Sequence, residues 1–376
     1  MKLLYSMADQ DFRETKSIGI YNLSRGLLLG LLQRPEVDEI VLLANRGLVL
    51  PQPPDNCLSV HYFDGAIKGR IRRIFWDQWH VYTVASRIKA DWMVLPKGFA
   101  SMLRKPPIPL LTYVHDTMPF FYRRQYPNVL PAGESAYFAR SILASLKHSS
   151  LVFTNSEFSR SELMRLGSQY RIRLPPIQAV GIGFSSGIRI GIKKDQILVL
   201  IGRWPHKRTD LAVEYLARWQ RSSAFPGEIH FVGPAPPELK WPSFENWRQH
   251  ARLPENSYRE LLLDAKALVY FSEYEGFGMP PVEAVLARTA PVYSNIPACL
   301  EVMSDVGFPF QNNVFHSFAT ALQGALQCPS AVLEQWALRL IQIHSWSAVL
   351  HKVVGSLMIE GKGSGFVKTS PSHEPP

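Results

Sequence analysis

The chain has 376 residues, 46% hydrophobic and 19% charged, a balance that builds a globular core, excludes a disordered polyelectrolyte, and at this length implies two domains. Its net charge of +10 is one-sided: residues 1–190 hold 24 Lys and Arg against 14 Asp and Glu, whereas residues 191–376 hold 17 of each. Such an excess points to an anionic partner, whether nucleic acid, a lipid surface or a phosphorylated acceptor, with solubility alone as the bland alternative.

Taken in chain order, short apolar runs alternate with longer amphipathic stretches, the pattern of βαβ units. Met1-Lys2-Leu3-Leu4-Tyr5 reads as an immediate strand rather than a signal peptide. The longest apolar run, Leu27 to Leu32, is interrupted by Gly30 and falls far short of a membrane span. Further strands are expected near Glu39–Ala44, Trp92–Leu95, Leu110–His115 and Leu151–Thr154. Helical patterns lie near Ser17–Gln33, Trp76–Ile88, Gly133–His148 and Ser156–Leu166, the last with Ser156 as N-cap.

Between Arg171 and Lys194, Pro175-Pro176 and four glycines (Gly181, Gly183, Gly187, Gly191) suit an interdomain connection. A second βα series follows, with strands near Gln196–Ile201, Glu228–Val232, Ala267–Phe271 and Ala290–Tyr293. Helices are expected at Thr209–Arg221, Ser257–Asp264, Pro281–Arg288, Ser330–His344 and Ser347–Ile359, then a Gly/Ser/Pro-rich tail from Gly361. The fold class is therefore α/β, with two doubly wound Rossmann-like domains facing a central cleft. We assign residues 1–185 to the first domain and 186–345 to the second, 346–360 to a final helix, and 361–376 to a disordered tail. Cys57, Cys299 and Cys328 show neither a disulfide framework nor metal-ligand spacing and suit a reducing compartment.

Ligands in such sheets bind beyond the carboxyl ends of the strands, where three segments carry chemistry. The first is Glu275-Gly276-Phe277-Gly278-Met279-Pro280-Pro281-Val282-Glu283. Gly276 and Gly278 permit close backbone approach, Pro281 fits the first turn of a helix, and that helix start offers free amides to an oxygen-rich ligand. Glu275 and Glu283 bracket the loop, and carboxylates accept from sugar and ribose hydroxyls. The second is Gly202-Arg203-Trp204-Pro205-His206-Lys207-Arg208. Arg203 can fork onto a diphosphate and Lys207 can add a point charge, stabilising negative charge on a leaving group. Basic residues after a strand are more often merely solvated, but the Glu-bracketed loop weighs against that reading. The third is Thr112-Tyr113-Val114-His115-Asp116, whose His115 either serves a structural hydrogen bond or reaches a sugar across the cleft.

These segments resemble the Glu-x7-Glu signature of family-four retaining glycosyltransferases, which have the GT-B fold. The similarity extends to Ala290–Asn295, Glu301-Val302, Val114-His115-Asp116, Thr154–Ser159 and His344–Ser347. The resemblance implies that Arg203 and Lys207 hold the donor diphosphate and that Glu283 binds the ribose. Glu275, with the backbone of Phe277, Gly278, Met279 and Pro280, would hold the transferred sugar, and His115 would touch it from the first domain. It also implies retention without a metal or other cofactor, and a terminal helix crossing back onto the first domain. Two departures matter. The Gly202 segment is one residue short before its Lys, so Lys207 and Arg208 compete for one role. The usual glycine-rich turn is reduced to Ser17-Ile18-Gly19-Ile20, which leaves Gly19 as the acceptor-side contact.

Lys68, Arg70, Arg72, Arg73, Arg87, Lys89, Lys97, Arg104 and Lys105 interleave with Ile71, Ile74, Phe75, Trp76 and Trp79. That pattern reads either as an interfacial membrane-docking segment or as a packed helix with solvated Arg stems. The expectation is a cytoplasmic transferase, peripheral on the inner membrane face. It would move a hexose, with mannose on GDP favoured, to a lipid-linked or saccharide acceptor in surface-polysaccharide synthesis. Two other classes compete: a nucleotide-sugar epimerase of the same fold, and a basic nucleic-acid-binding protein, for which no recognised module is present. Gly181-x-Gly183-x-x-x-Gly187 has the wrong spacing for a dinucleotide fingerprint.

Overall fold

Apolar runs such as Leu3-Leu4-Tyr5 and Leu198-Val199 are too short for helices and have no polar face, so they are stable only as strands covered on both sides. A computed structural model of the chain describes residues 1–10, 18–48, 57–64, 69–185 and 192–363. Ser17, Lys68, Gly187, Gly191 and the tail from residue 364 lie outside the described residues.

The first domain contains β1 (Lys2–Ser6), α1 (Ile18–Leu31), β2 (Glu39–Ala44), β3 (Leu58–Tyr62), α2 (Arg70–Phe75), a π-turn (Trp76–His80) and α3 (Val81–Ala85). It continues through β4 (Trp92–Leu95), β5 (Leu110–Tyr113), α4 (Met118–Gln125), α5 (Ala132–His148), β6 (Leu151–Thr154), α6 (Glu157–Gln169) and β7 (Ile177–Ala179). Its seven strands are parallel in the order β3-β2-β1-β4-β5-β6-β7. The second domain contains β8 (Lys194–Leu200), α7 (Thr209–Ser223), β9 (Glu228–Val232), β10 (Trp247–His250), α8 (Glu255–Asp264), β11 (Ala265–Tyr270) and α9 (Met279–Leu286). Then come β12 (Ala290–Ser294), α10 (Pro297–Met303), β13 (Phe308–Phe310), α11 (Phe315–Leu326), α12 (Ser330–His344) and α13 (Trp346–Gly363). Its six strands are parallel in the order β10-β9-β8-β11-β12-β13. Strand order reverses between β1 and β4 and between β8 and β11, and a doubly wound sheet opens its ligand crevice at such a point.

The structure adds elements that the sequence pattern hid. β3, β10 and β13 are sheet-edge strands with polar or Pro-containing sequences (LSVHY, WRQH and FPF), so they lack the apolar signature of the central strands. β7 lies inside the Pro/Gly-rich connection and completes the first sheet. α4 follows directly on Asp116, with a Pro in its first turn.

After β7 the backbone leaves the first domain beside the point where the last helix returns. The Phe184 N–H donates to the His344 carbonyl at 2.7 Å, and Phe184 bridges Ser345. α13 then packs on α1. A Cβ on Gly26 would lie 2.0 Å from Trp346 Cζ2 and one on Gly30 would lie 2.3 Å from Leu350 Cδ1. Both glycines are needed for this approach. Farther along, the Ser356 hydroxyl donates to Gln178 on β7. The terminal helix therefore belongs by contact to the first domain.

Candidate active site at the switch point of the second sheet

The loops after β8 and β11 meet where the second sheet reverses its order. The first is pinned by Thr209, whose hydroxyl accepts the Gly202 N–H at 3.1 Å and donates to the Gly202 carbonyl at 2.7 Å. A 3-10 turn, Pro205–Lys207, and a left-handed Arg208 then turn Lys207 inward. Its Nζ donates to Glu275 Oε1 at 2.6 Å and to the Tyr270 hydroxyl at 2.9 Å. Tyr270 and Ser272 also donate to Oε1, at 2.6 and 2.7 Å. Three donors thus converge on one oxygen, while among the described residues none reaches Oε2. Burial pushes the Glu275 carboxyl up, but the Lys207 and His206 charges and the bonds from Lys207 and Tyr270 outweigh it, leaving the group below its ordinary value.

Lys207 and Arg208 point in different directions. Arg208 pairs with Glu273 at 2.8 Å and Asp210 at 3.1 Å, away from Glu275. Arg203 is exposed, with its guanidinium 5.0 Å from the Trp204 ring centre. No contact joins it to Lys207 or Glu275.

Past Glu275, Gly278 takes the positive φ that a glycine permits, while Gly276 meets the first domain. A Cβ on Gly276 would lie 2.2 Å from the His115 carbonyl oxygen and 2.9 Å from Asp116 Cβ. The close approach at Gly276 is therefore to the first domain's own backbone. Gly278 has φ 89° and precedes α9, which opens at Met279, so Pro280 and Pro281 both lie in its first turn. Phe277 is buried, 5.3 Å edge-on from His344 and stacked on Phe184. Its side chain packs the interdomain connection, which leaves only its backbone to a ligand. Glu283 sits beside Tyr258 of α8, and burial holds its carboxyl up at about 6.

The first domain faces this loop with His115 and Asp116. His115 Nε2 lies 2.8 Å from the Pro96 carbonyl, and a carbonyl can only accept, so Nε2 carries the proton. Burial pulls the imidazole down to about 4, so the ring is neutral and Nδ1 is an acceptor. Asp116 Oδ1 accepts the Met118 N–H at 2.8 Å, and burial pushes its carboxyl up to about 6. Gly19, at the start of α1, is a neighbour of Met279: an added Cβ would lie 3.5 Å from its sulfur. Two helix starts therefore converge on one cleft.

Several groups here were not singled out from the sequence. Tyr270 and Ser272 lie just before Glu275, at alternate positions of an emerging strand, and that spacing is the signal that would have found them. Tyr258 has no comparable signal. The domains are also joined by Thr117 to Tyr274 at 2.7 Å, by Tyr122 to His206, by Tyr126 to Glu273, and by Phe121 stacked on Tyr274 at 4.6 Å. Glu301 of α10 accepts the N–H groups of Glu157 and Phe158 at 2.6 and 2.7 Å, capping α6 across the cleft.

The basic and aromatic segment of the first domain divides in two. Ile71, Phe75 and Trp79 recur every four residues and are 83%, 56% and 47% exposed. Arg104 lies 5.2 Å over the Trp79 ring. Trp76, by contrast, is buried against Phe63. Lys97 does not join the exposed basic face: it is paired with Asp9 and, at 2.9 Å, with Asp77. The π-turn explains the split, since its extra residue per turn rotates Trp76 and Asp77 inward. No described helix is long and apolar enough to cross a membrane.

Known proteins resemble the chain in sequence and in fold. Residues 189–337 match the model of the family described as Glycosyl transferases group 1. The chain is 26% identical over 228 residues to O-antigen chain mannosyltransferase RfbU of Salmonella typhimurium, covering 58% of this chain and 61% of that protein. It is 24% identical over 235 residues to O-antigen chain mannosyltransferase B of Escherichia coli, covering 54% and 58%. The chain thus spans about three fifths of the length of these curated relatives. Sucrose-phosphate synthase from Thermosynechococcus elongatus superposes with a TM-score of 0.67 at 13% identity, over 97% of this chain and 99% of that one. The two-domain arrangement is the GT-B fold.

Proposed function

From the match of residues 189–337 to the glycosyl transferases group 1 family, we propose that this chain is a retaining, metal-independent glycosyltransferase. It moves a hexose from a nucleotide-diphosphate sugar to a lipid-linked or saccharide acceptor in surface-polysaccharide synthesis. One observation carries this reading: Lys207 and Glu275, from two separate motifs, are joined at 2.6 Å at the switch point of the second sheet. Mannose, carried on GDP, is the preferred sugar because both curated relatives are O-antigen mannosyltransferases.

In this reading Glu283 and Tyr258 receive the ribose, and Lys207 the diphosphate, with Arg203 swinging in from the surface. Negative charge grows on that diphosphate as the bond to the sugar breaks, and the Lys207 ammonium and the Met279 N–H at the start of α9 stabilise it. Glu275 presents Oε2 to sugar hydroxyls. Its Oε1 is saturated by three donors, which suits a fixed hydrogen-bond acceptor better than a nucleophile. Neutral His115 offers Nδ1 to the sugar from the opposite wall. The reading also places the exposed Ile71, Phe75 and Trp79 stripe, with its flanking arginines, on an anionic cytoplasmic membrane face beside the acceptor.

A thermal-shift screen of nucleotides and nucleotide sugars tests the donor site. GDP-mannose should stabilise the chain, and Glu283→Ala should abolish most of that shift. An unchanged shift in the variant would remove the ribose assignment. NMR of the product anomer tests retention.

A further inference from the structure

We propose that Tyr122, on α4 of the first domain, is a positioning residue for the diphosphate turn of the second: through His206 it seats the segment that carries Arg203 and Lys207. This rests on the donor reading above, in which Lys207 meets the diphosphate. Tyr122 and His206 are each 5% exposed, and the Tyr122 hydroxyl is hydrogen-bonded to His206 Nδ1. Packing alone would be served by a phenylalanine ring. The hydroxyl adds one directional bond, and that bond falls on the turn.

Tyr122 touches the turn at two points. Its ring centre lies 6.1 Å from that of Trp204 and 5.6 Å, edge-on, from that of His206. Trp204 directly follows Arg203, whose guanidinium lies 5.0 Å over the Trp204 ring, and His206 directly precedes Lys207. Both cations of the segment are therefore one residue from a side chain that Tyr122 meets. Pro205 and His206 share a single 3-10 turn with Lys207, and the proline ring fixes one of its torsions, so a shift at His206 is passed on to Lys207.

The same helix lands on the neighbouring loop. The Tyr126 hydroxyl donates to Glu273 Oε2, and Arg208 donates to Glu273 Oε1 at 2.8 Å. The Glu273 N–H in turn donates to the His206 carbonyl at 2.7 Å. The loops that supply Lys207 and Glu275 are thus bonded to each other where α4 meets them. One short segment of the first domain carries His115 at its start and Tyr122 seven residues on, so the sugar wall and the seat of the diphosphate turn move together. Burial pulls the His206 imidazole down to about 4, so the ring is neutral and its bond to Tyr122 can be removed without stranding a charge.

Calorimetric titration of the full chain with GDP, GMP, UDP and UMP tests the proposal. It compares wild type with Tyr122→Phe, His206→Leu, His206→Asn and the Tyr122→Phe/His206→Leu double variant. Tyr122→Phe and His206→Leu should each lose roughly fivefold affinity for the nucleoside diphosphate. Each should stay within about twofold of wild type for the monophosphate, which lacks the second phosphate. The double variant should lose no more than either single one, because both remove the same bond. His206→Asn keeps a polar atom in the place of Nδ1 and should bind as wild type does, which a purely structural role would not require. Tyr122→Phe keeps the ring and its packing, and thermal melts of the unliganded variants confirm that each is folded. Unchanged diphosphate affinity in Tyr122→Phe would overturn the proposal, as would equal losses for diphosphate and monophosphate, or additive losses in the double variant. Wild type binding none of the four nucleotides would overturn the donor reading itself, an outcome distinct from these.

Discussion

Lys207 and Glu275, 68 positions apart in sequence, form one unit in space: Nζ to Oε1 is 2.6 Å, with Tyr270 bonded to both. Neither charge is free in this state. A diphosphate that draws Lys207 toward itself leaves Glu275 held by Tyr270 and Ser272, still aimed at the sugar. Glu275→Gln should lower transfer roughly 100-fold, by removing a fixed charge where the transition state is polar. It should also destabilise the chain by about 1–3 kcal/mol, by depriving Lys207 of its partner. Steady-state kinetics and urea melts read the two effects separately.

Lys207→Ala and Arg208→Ala should part company. Losing Lys207 removes a charge-assisted contact to the diphosphate, about 1.5–3 kcal/mol or 10- to 100-fold in nucleotide affinity. Losing Arg208 disturbs its pairs with Glu273 and Asp210 and should leave nucleotide affinity within about threefold. Equal losses in a titration with GDP would refute the assignment.

Glu283 gives a pH dependence with a definite sign. Its folded value of about 6 lies above its ordinary 4.5, so between these values the folded state binds more protons than the unfolded one. Stability therefore falls as pH rises from 4.5 to about 6, by about 2 kcal/mol, and stays lower above it. Glu283→Gln should melt higher than wild type at pH 8 yet bind nucleotide more weakly. Wild-type nucleotide affinity should drop as pH falls below about 6, and the variant should be flat there. Asp116 titrates in the same range but faces the sugar side, so free nucleoside diphosphate is the ligand to use.

Gly26→Val should destabilise the chain by about 1–3 kcal/mol, because its side chain must displace Trp346. Denaturant melts check the magnitude. Loss of the crossing contact without change in the donor site would appear as reduced stability with nucleotide affinity retained.

Phe75→Glu with Trp79→Glu should abolish co-sedimentation with anionic vesicles while leaving nucleotide binding unchanged. Equal sedimentation of wild type with neutral and anionic vesicles would remove the electrostatic part of the membrane reading.

How far the sequence reached follows from what each residue must satisfy. Central strands such as β8 and β11 were legible because burial on both faces leaves only apolar residues in them. Edge strands meet solvent, and the WRQH of β10 carries no such mark. The Glu275–Glu283 loop was legible because backbone geometry restricts Gly278 and Pro280. Lys97 was misplaced because composition cannot tell a solvated cation from one held by Asp9 and Asp77, whose convergence needs the fold. Tyr258 was missed for the same reason: its place beside Glu283 needs the fold.

The two crossings between domains, at Phe184 and at His344-Ser345, are hydrogen-bonded to each other. Two tethers at one spot act as a single hinge pin, so the lobes can swing apart but cannot slide or twist far. The swing would break the reach of Tyr122 and Tyr126 to the second domain. A nucleotide could then enter and leave through one opening, and each closure would return His115 to the same seat against Gly276.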